Sequence, residues 1–201
     1  MSYPYRRYGR SDSKGLLIAA AALAVLLVAR GASAHHGGTS RGASLAGYMN
    51  PLAGGQWALA RTDQGVDYKP AAPEPVRAIG GGVIVYSSTA TGWPGGAFIS
   101  YRLSGGPAAG HVVYVAEHLT GLVPAGRTVR AGEPIATAWP GYPWTEWGWA
   151  ACSGDLPAAQ YDGAPDGTPM AGGLAFARFM RGLGAATAQD PGPGPDTAGA
   201  C

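Results

Sequence analysis

Cysteine is scarce in this chain: Cys152 and Cys201 are the only two. Neither belongs to a CxxC pair or has a histidine nearby, which argues against a thiolate zinc site. In an exported protein the two could form a disulfide, and Cys201, the last residue, could reach Cys152 or another chain. Long apolar runs are missing too. The longest, Leu16 to Ala29, falls short of the roughly 20 residues that span a bilayer. Charge is sparse at 13%, and one small region holds most of the positive excess.

That region is the start of the chain. Arg6, Arg7, Arg10 and Lys14 face a single Asp12, the apolar run follows, and Ala32-Ser33-Ala34 supplies the small residues of a cleavage site. This is the three-part pattern of a secretory signal peptide over residues 1–34, with a retained membrane anchor as the alternative. The chain carries +2, residues 1–34 carry +4, and the remainder is therefore −2. The pI of 8.6 comes mostly from the leader. No basic patch is left to bind nucleic acid. The expected location is secreted or associated with the cell envelope, with membrane contact only through an uncleaved N-terminal segment.

Glycine and proline, 34 and 17 residues, make up about a quarter of the chain, yet 46% of residues are hydrophobic. That combination predicts a loop-rich β domain with biased ends. Residues 35–50 read as a flexible linker, in which His35-His36 would be a solvated pair or a weak metal site. Residues 186–201 alternate proline and glycine and read as a disordered tail.

Between them, over residues 51–185, short apolar runs alternate with turn signals. Val83 to Val85, Ala97 to Leu103, His111 to Leu119, Thr128 to Ala138 and Glu146 to Ala150 read as strands, with a turn at Ala131-Gly132. Gly92, Pro94, Gly95 and Gly96 shape a loop, most simply a hairpin turn. This spacing predicts a mainly β fold, a small antiparallel barrel or sandwich. Thr168-Pro169 marks a helix start. Leu174, Phe176, Phe179, Met180 and Leu183 form its apolar stripe, and Gly184 marks its stop.

Four segments, in order over about residues 61–150, carry a resemblance: DQGVDY, PVRAIGGGVIVY, EHLT and VPAGRTVRAGEPIATA. Together they resemble the lysostaphin/LytM-type zinc endopeptidases of bacterial cell walls. The last segment also resembles lipoyl and biotinyl domains, so it supports the fold more than an activity. The resemblance implies a duplicated-hybrid-motif β-barrel, with zinc held by two histidines and an aspartate and a water made nucleophilic.

Carried over residue by residue, that site is degenerate. The first family histidine falls on Asp63, and the family aspartate is present as Asp67. The closing His-x-His falls on Glu146-Trp147-Gly148, so a catalytic histidine becomes Glu146 and a zinc ligand becomes Gly148. His118 matches the other catalytic histidine. Glu146 and His118 are thus the candidate catalytic pair, and Asp67 and Asp63 the candidate vestigial metal ligands. Trp93, Glu117, Trp147 and Trp149 are candidate groove residues. Strand alternation sends Glu117 and His118 to opposite sides, and the register that decides between them stays open.

Zinc lacks its imidazoles here, so no cofactor is expected, with zinc or another divalent ion left open. Clustered carboxylates would repel and hold a proton, as acid/base pairs do in glycoside cleavage. The plainer alternatives have Asp63 capping the turn at Gln64-Gly65, Asp67 paired with Arg61 or Arg77, and Trp147 and Trp149 in the core. The reading is a non-catalytic envelope module that binds peptidoglycan or an envelope protein. The alternative is a peptidoglycan hydrolase with unusual metal ligands or working carboxylates.

Overall fold

A computed structural model describes residues 45–93, 95–158 and 164–197. The expected signal segment and His35-His36 lie outside them. Among the described residues no helix is long and apolar enough to cross a membrane. The elements run β1 (Trp57–Thr62), β2 (Val66–Pro70), β3 (Glu74–Arg77), β4 (Gly82–Ser88), β5 (Phe98–Leu103), β6 (Val112–Ala116), β7 (Leu119–Thr120), β8 (Thr128–Val129), β9 (Pro134–Ala138), β10 (Thr145–Trp149) and α1 (Ala171–Gly182).

The fold is mainly β, as the spacing of apolar runs implied. The strands form two antiparallel sheets. One has seven strands in the order β1-β2-β10-β6-β5-β4-β8, and the other has three in the order β3-β9-β7. The central strands are buried on both faces. On β6, Val113 and Val115 enter the main core, while Val112, Tyr114 and Ala116 join a second apolar cluster on the opposite face. Alternation thus sorts one strand between two layers.

Trp147 and Trp149 of β10 anchor the main core. Trp57 and Tyr68 meet the Trp147 ring edge-on at 5.1 and 5.6 Å, and Phe176 of α1 meets Trp149 edge-on at 5.1 Å. Both tryptophans are almost wholly buried. This corrects their reading as groove residues: sharing a face, both follow the apolar side of β10, where burial of large aromatic surface is most favourable.

The helix starts later than Thr168-Pro169 suggested. Met170 is its N-cap, and the Thr168 hydroxyl donates back to Pro165 O at 2.6 Å. Its end matches the expected stop. Gly184, at φ +82°, donates to Arg181 O, and Ala185 N–H reaches Met180 O at 3.0 Å. These paired bonds with a left-handed glycine form a Schellman motif.

Two flanking segments behave differently from expectation. Within the supposed linker, Met49 N–H donates to Ile79 O at 2.8 Å and Tyr48 packs edge-on to Phe179 at 5.6 Å. Apolar Leu45 and Tyr48 find core to cover, so residues 45–50 dock. The described part of the tail, residues 186–197, is also tied down. Arg178 donates to Pro191 O and Pro195 O, and Trp149 Nε1 donates to Asp196 O at 2.7 Å. Proline carbonyls remain good acceptors although the residue has no N–H to give.

Candidate functional site

The β1–β2 hairpin and β10 build the site. Thr62 pairs with Val66 across a tight Asp63-Gln64-Gly65 connection, closed by Asp63 N–H to Gly65 O at 3.0 Å. The expected cap from the Asp63 carboxylate is at most marginal, with Gly65 N–H 3.5 Å from Oδ1. Antiparallel pairing sets Asp67 directly opposite Glu146. The hairpin then folds Asp63 onto the same spot. One carboxylate oxygen from each of Asp63, Asp67 and Glu146 lies within 4.8 Å of the others. All three are buried, at 0%, 2% and 3% exposure.

Arg61 answers this concentration of acid. Its Nε lies 2.8 Å from Asp63 Oδ2 and 2.7 Å from Asp67 Oδ2. Its two terminal nitrogens reach Asp166 at 3.2 and 3.1 Å. Burial works against the guanidinium charge, but the Asp166 bond and the Asp63 and Asp67 charges outweigh it and hold Arg61 protonated.

The acids are pushed the other way. Burial, then the Asp63 charge, lifts Asp67 to about 7 against the pull of Arg61. Burial also lifts Glu146 well above the usual carboxylate range, helped by the Asp67 and Asp63 charges and a hydrogen bond with Asp63. Each of these favours the protonated form of the Glu146 carboxyl. The Tyr114 hydroxyl donates to Glu146 Oε1, and burial followed by the Glu146 charge raises that phenol well above its ordinary value.

Tyr114 also explains what happens at position 148. It pairs directly with Gly148 across β6 and β10. A Cβ on Gly148 would come within 2.7 Å of both Tyr114 Cζ and Oη. The ring thus fills the space where the resemblance places a metal-binding imidazole. Around it, Phe98 stacks on Tyr114 at 5.1 Å, and Trp93 meets Phe98 at 5.8 Å and Tyr114 at 6.4 Å. Trp93 does therefore cover this face of the sheet.

Glu117 and His118 part company here. Both adopt positive φ, 75° and 48°, which ends β6 at Ala116, so simple alternation no longer applies. Glu117 turns inward and is only 6% exposed. Burial, then the Asp67 charge, lifts it to about 9. Neither its Oε2 nor the indole Nε1 of Trp93 closes a hydrogen bond of full geometry among the described residues, but the indole lies near enough to Glu117 to favour its charged form and so offset part of this rise. His118 instead lies against Gly141, with Nε2 unpartnered among the described residues, and stands outside the three-carboxylate group. Among the described residues His118 Nε2 makes no hydrogen bond to Glu146, the other member of the candidate catalytic pair.

As a donor set, three carboxylates suit a hard cation better than zinc, which favours imidazole or thiolate. Among the described residues no imidazole joins the group, and Tyr114 occupies the space at 148, so those residues do not fit a zinc site. Of the partners named from sequence, Arg61 holds Asp67, while Arg77 donates to Gly132 O. Tyr114 and Asp166 were missed. The only trace of Tyr114 was its place on the same strand face as Ala116; nothing local to Asp166 pointed at a residue 105 positions away. The expected Cys152–Cys201 pairing falls on Cys201, outside the described residues; Cys152 itself is disulfide-bonded.

No family model and no curated protein matches the chain. Among solved structures it is similar to lysostaphin in solution, at 19% identity and a TM-score of 0.46, over 76% of this chain and 62% of that one. It is similar to the antimicrobial peptidase lysostaphin from Staphylococcus simulans at 20% identity and a TM-score of 0.45, over 71% and 56%. The matches thus span less than two thirds of those two structures. The catalytic domain of the same peptidase, crystallized in the absence of phosphate, is similar at 22% identity and a TM-score of 0.41, over 67% and 89%.

Proposed function

We propose that this chain is an extracytoplasmic, non-catalytic binding module of the lysostaphin/LytM-like type, with peptidoglycan or an envelope protein as its ligand. The observation that carries the reading is the Tyr114–Gly148 packing. Hydrolysis by a metal-bound water needs an open coordination position beside three protein donors. Here an aromatic ring fills the space of one donor and gives its hydroxyl to Glu146. Binding remains open to the surface. Trp139 and Tyr142 are exposed at 48% and 63%, and Tyr142 meets Trp144 edge-on at 5.3 Å. Such faces suit sugar rings and apolar peptide side chains.

The rival reading, a carboxylate-dependent hydrolase, draws on the raised Glu146 and Glu117. Burial of both speaks against it, because an acid catalyst must reach the bond it protonates. The test incubates the purified chain with peptidoglycan, with and without chelator, beside Glu146→Gln. Retention on the wall pellet without muropeptide release is the expected result. Release abolished by chelator would establish a metalloenzyme. Release that survives chelator and is lost in Glu146→Gln would establish carboxylate chemistry. Neither retention nor release would remove peptidoglycan as the ligand.

A further inference from the structure

We infer that Arg61 is the resident cation of the carboxylate cluster, so that the chain supplies from within the positive charge that a bound metal would otherwise bring. Four features of the geometry lead there. The Nε atom sits 2.7 and 2.8 Å from oxygens of two different aspartates, so a single donor nitrogen joins both. Those two aspartates belong to the group of three whose oxygens converge as a cation site would. The far end of the guanidinium is clamped by Asp166 through both terminal nitrogens, a fork geometry that lysine cannot copy. The Trp144 ring lies 5.6 Å from the guanidinium carbon and carries Lys69 at 4.2 Å, which limits where the side chain can move.

Electrostatics makes the assignment consequential. Asp63 and Asp67 are buried, and buried anions without a counter-charge are costly. A divalent cation could neutralise them, but Asp63 Oδ2 and Asp67 Oδ2 are already engaged by Nε. A guanidinium and a metal would also repel each other at this separation. The cluster therefore closes without a metal, and its dependence is transferred to one side chain. This is independent of whether the surface binds the cell wall, and its test reads no wall binding.

The full chain would be purified with and without chelator, its metal content measured by elemental analysis, and its melting followed with added calcium, manganese or zinc. Wild type should hold less than a tenth of an equivalent of metal and melt at the same temperature in every condition. Arg61→Ala should melt several degrees lower in chelator. Part of that loss should return on adding a divalent cation, or in the Arg61→Ala/Asp67→Asn double variant, which removes one stranded charge. Arg61→Lys should fall between. The assignment is overturned if wild type carries one equivalent of a divalent ion or loses stability in chelator. It is equally overturned if Arg61→Ala melts like wild type, or if neither the cation nor Asp67→Asn restores anything. Should Arg61→Ala not fold, the wild-type arms and Arg61→Lys decide.

Discussion

Tyr114 faces Gly148 across two paired strands, and its ring takes the room that any side chain at 148 would need. The absence of a Cβ at 148 and the presence of a phenol at 114 are therefore one packing solution. Gly148→Ala should destabilise the fold by about 1–3 kcal/mol, the usual cost of overpacking. Urea unfolding of Gly148→Ala, Tyr114→Ala and the double variant should show a loss clearly smaller than the sum of the singles. Strict additivity would mean that the two residues do not compete for space.

Stability should fall as pH rises from mildly acidic to alkaline. Glu117 and Asp67 are raised to about 9 and about 7 in the folded protein. Between their unfolded values near 4 and these folded values, the native state binds more protons than the unfolded chain, so unfolding free energy decreases with pH. Thermal melts from pH 5 to pH 9 should show this decline. Glu117→Gln, which keeps the shape without the charge, should flatten the upper part of the curve. A midpoint that rises over this range would contradict the assignment of buried, protonated acids.

Helix α1 is seated against the site by backbone contact. Met170 N–H donates to Asp63 O at 2.8 Å, and a Cβ on Gly173 would lie 2.8 Å from the Asp63 carbonyl carbon. Gly173→Ala should therefore destabilise by about 1–3 kcal/mol or more, although alanine is the better helix former. A stabilised variant in chemical denaturation would show that the helix does not approach Asp63 so closely.

Arg178 holds the proline-rich segment with bonds to Pro191 O at 2.8 Å and Pro195 O at 3.1 and 2.8 Å. Arg178→Ala should cost about 1–3 kcal/mol. It should also raise hydrogen exchange and proteolysis over residues 186–197 before the rest of the domain responds. Unchanged protection there would mean that other contacts suffice.

Tyr142→Ala and Trp139→Ala remove exposed rings and should leave the melting temperature within about a degree of wild type, as surface changes usually do. If these aromatics serve binding, wall retention should drop several-fold in the same variants. Full retention would move the binding surface elsewhere.

The sequence by itself determined what depends on neighbours along the chain. Short apolar runs marked β4, β5, β6, β8, β9 and β10, Gln64-Gly65 marked a turn, and Gly184 marked the helix stop, because each rests on local backbone preference. The likeness of DQGVDY and TEWGWA to a metal-site pattern also pointed to Asp63, Asp67 and Glu146, which β2–β10 pairing does bring together. Only the tertiary structure decided how their charge is met. It chose Arg61 over Arg77 as the partner of Asp67, brought Tyr114 to Glu146 from the neighbouring strand, and set Asp166 against Arg61 from a loop far along the chain. The side chosen by Glu117 turned on a left-handed break after Ala116, and the place of Trp147 and Trp149 turned on which face of β10 met the core. Register and burial are settled by the packing energy of the whole domain, and a one-residue difference reverses every side chain along a strand.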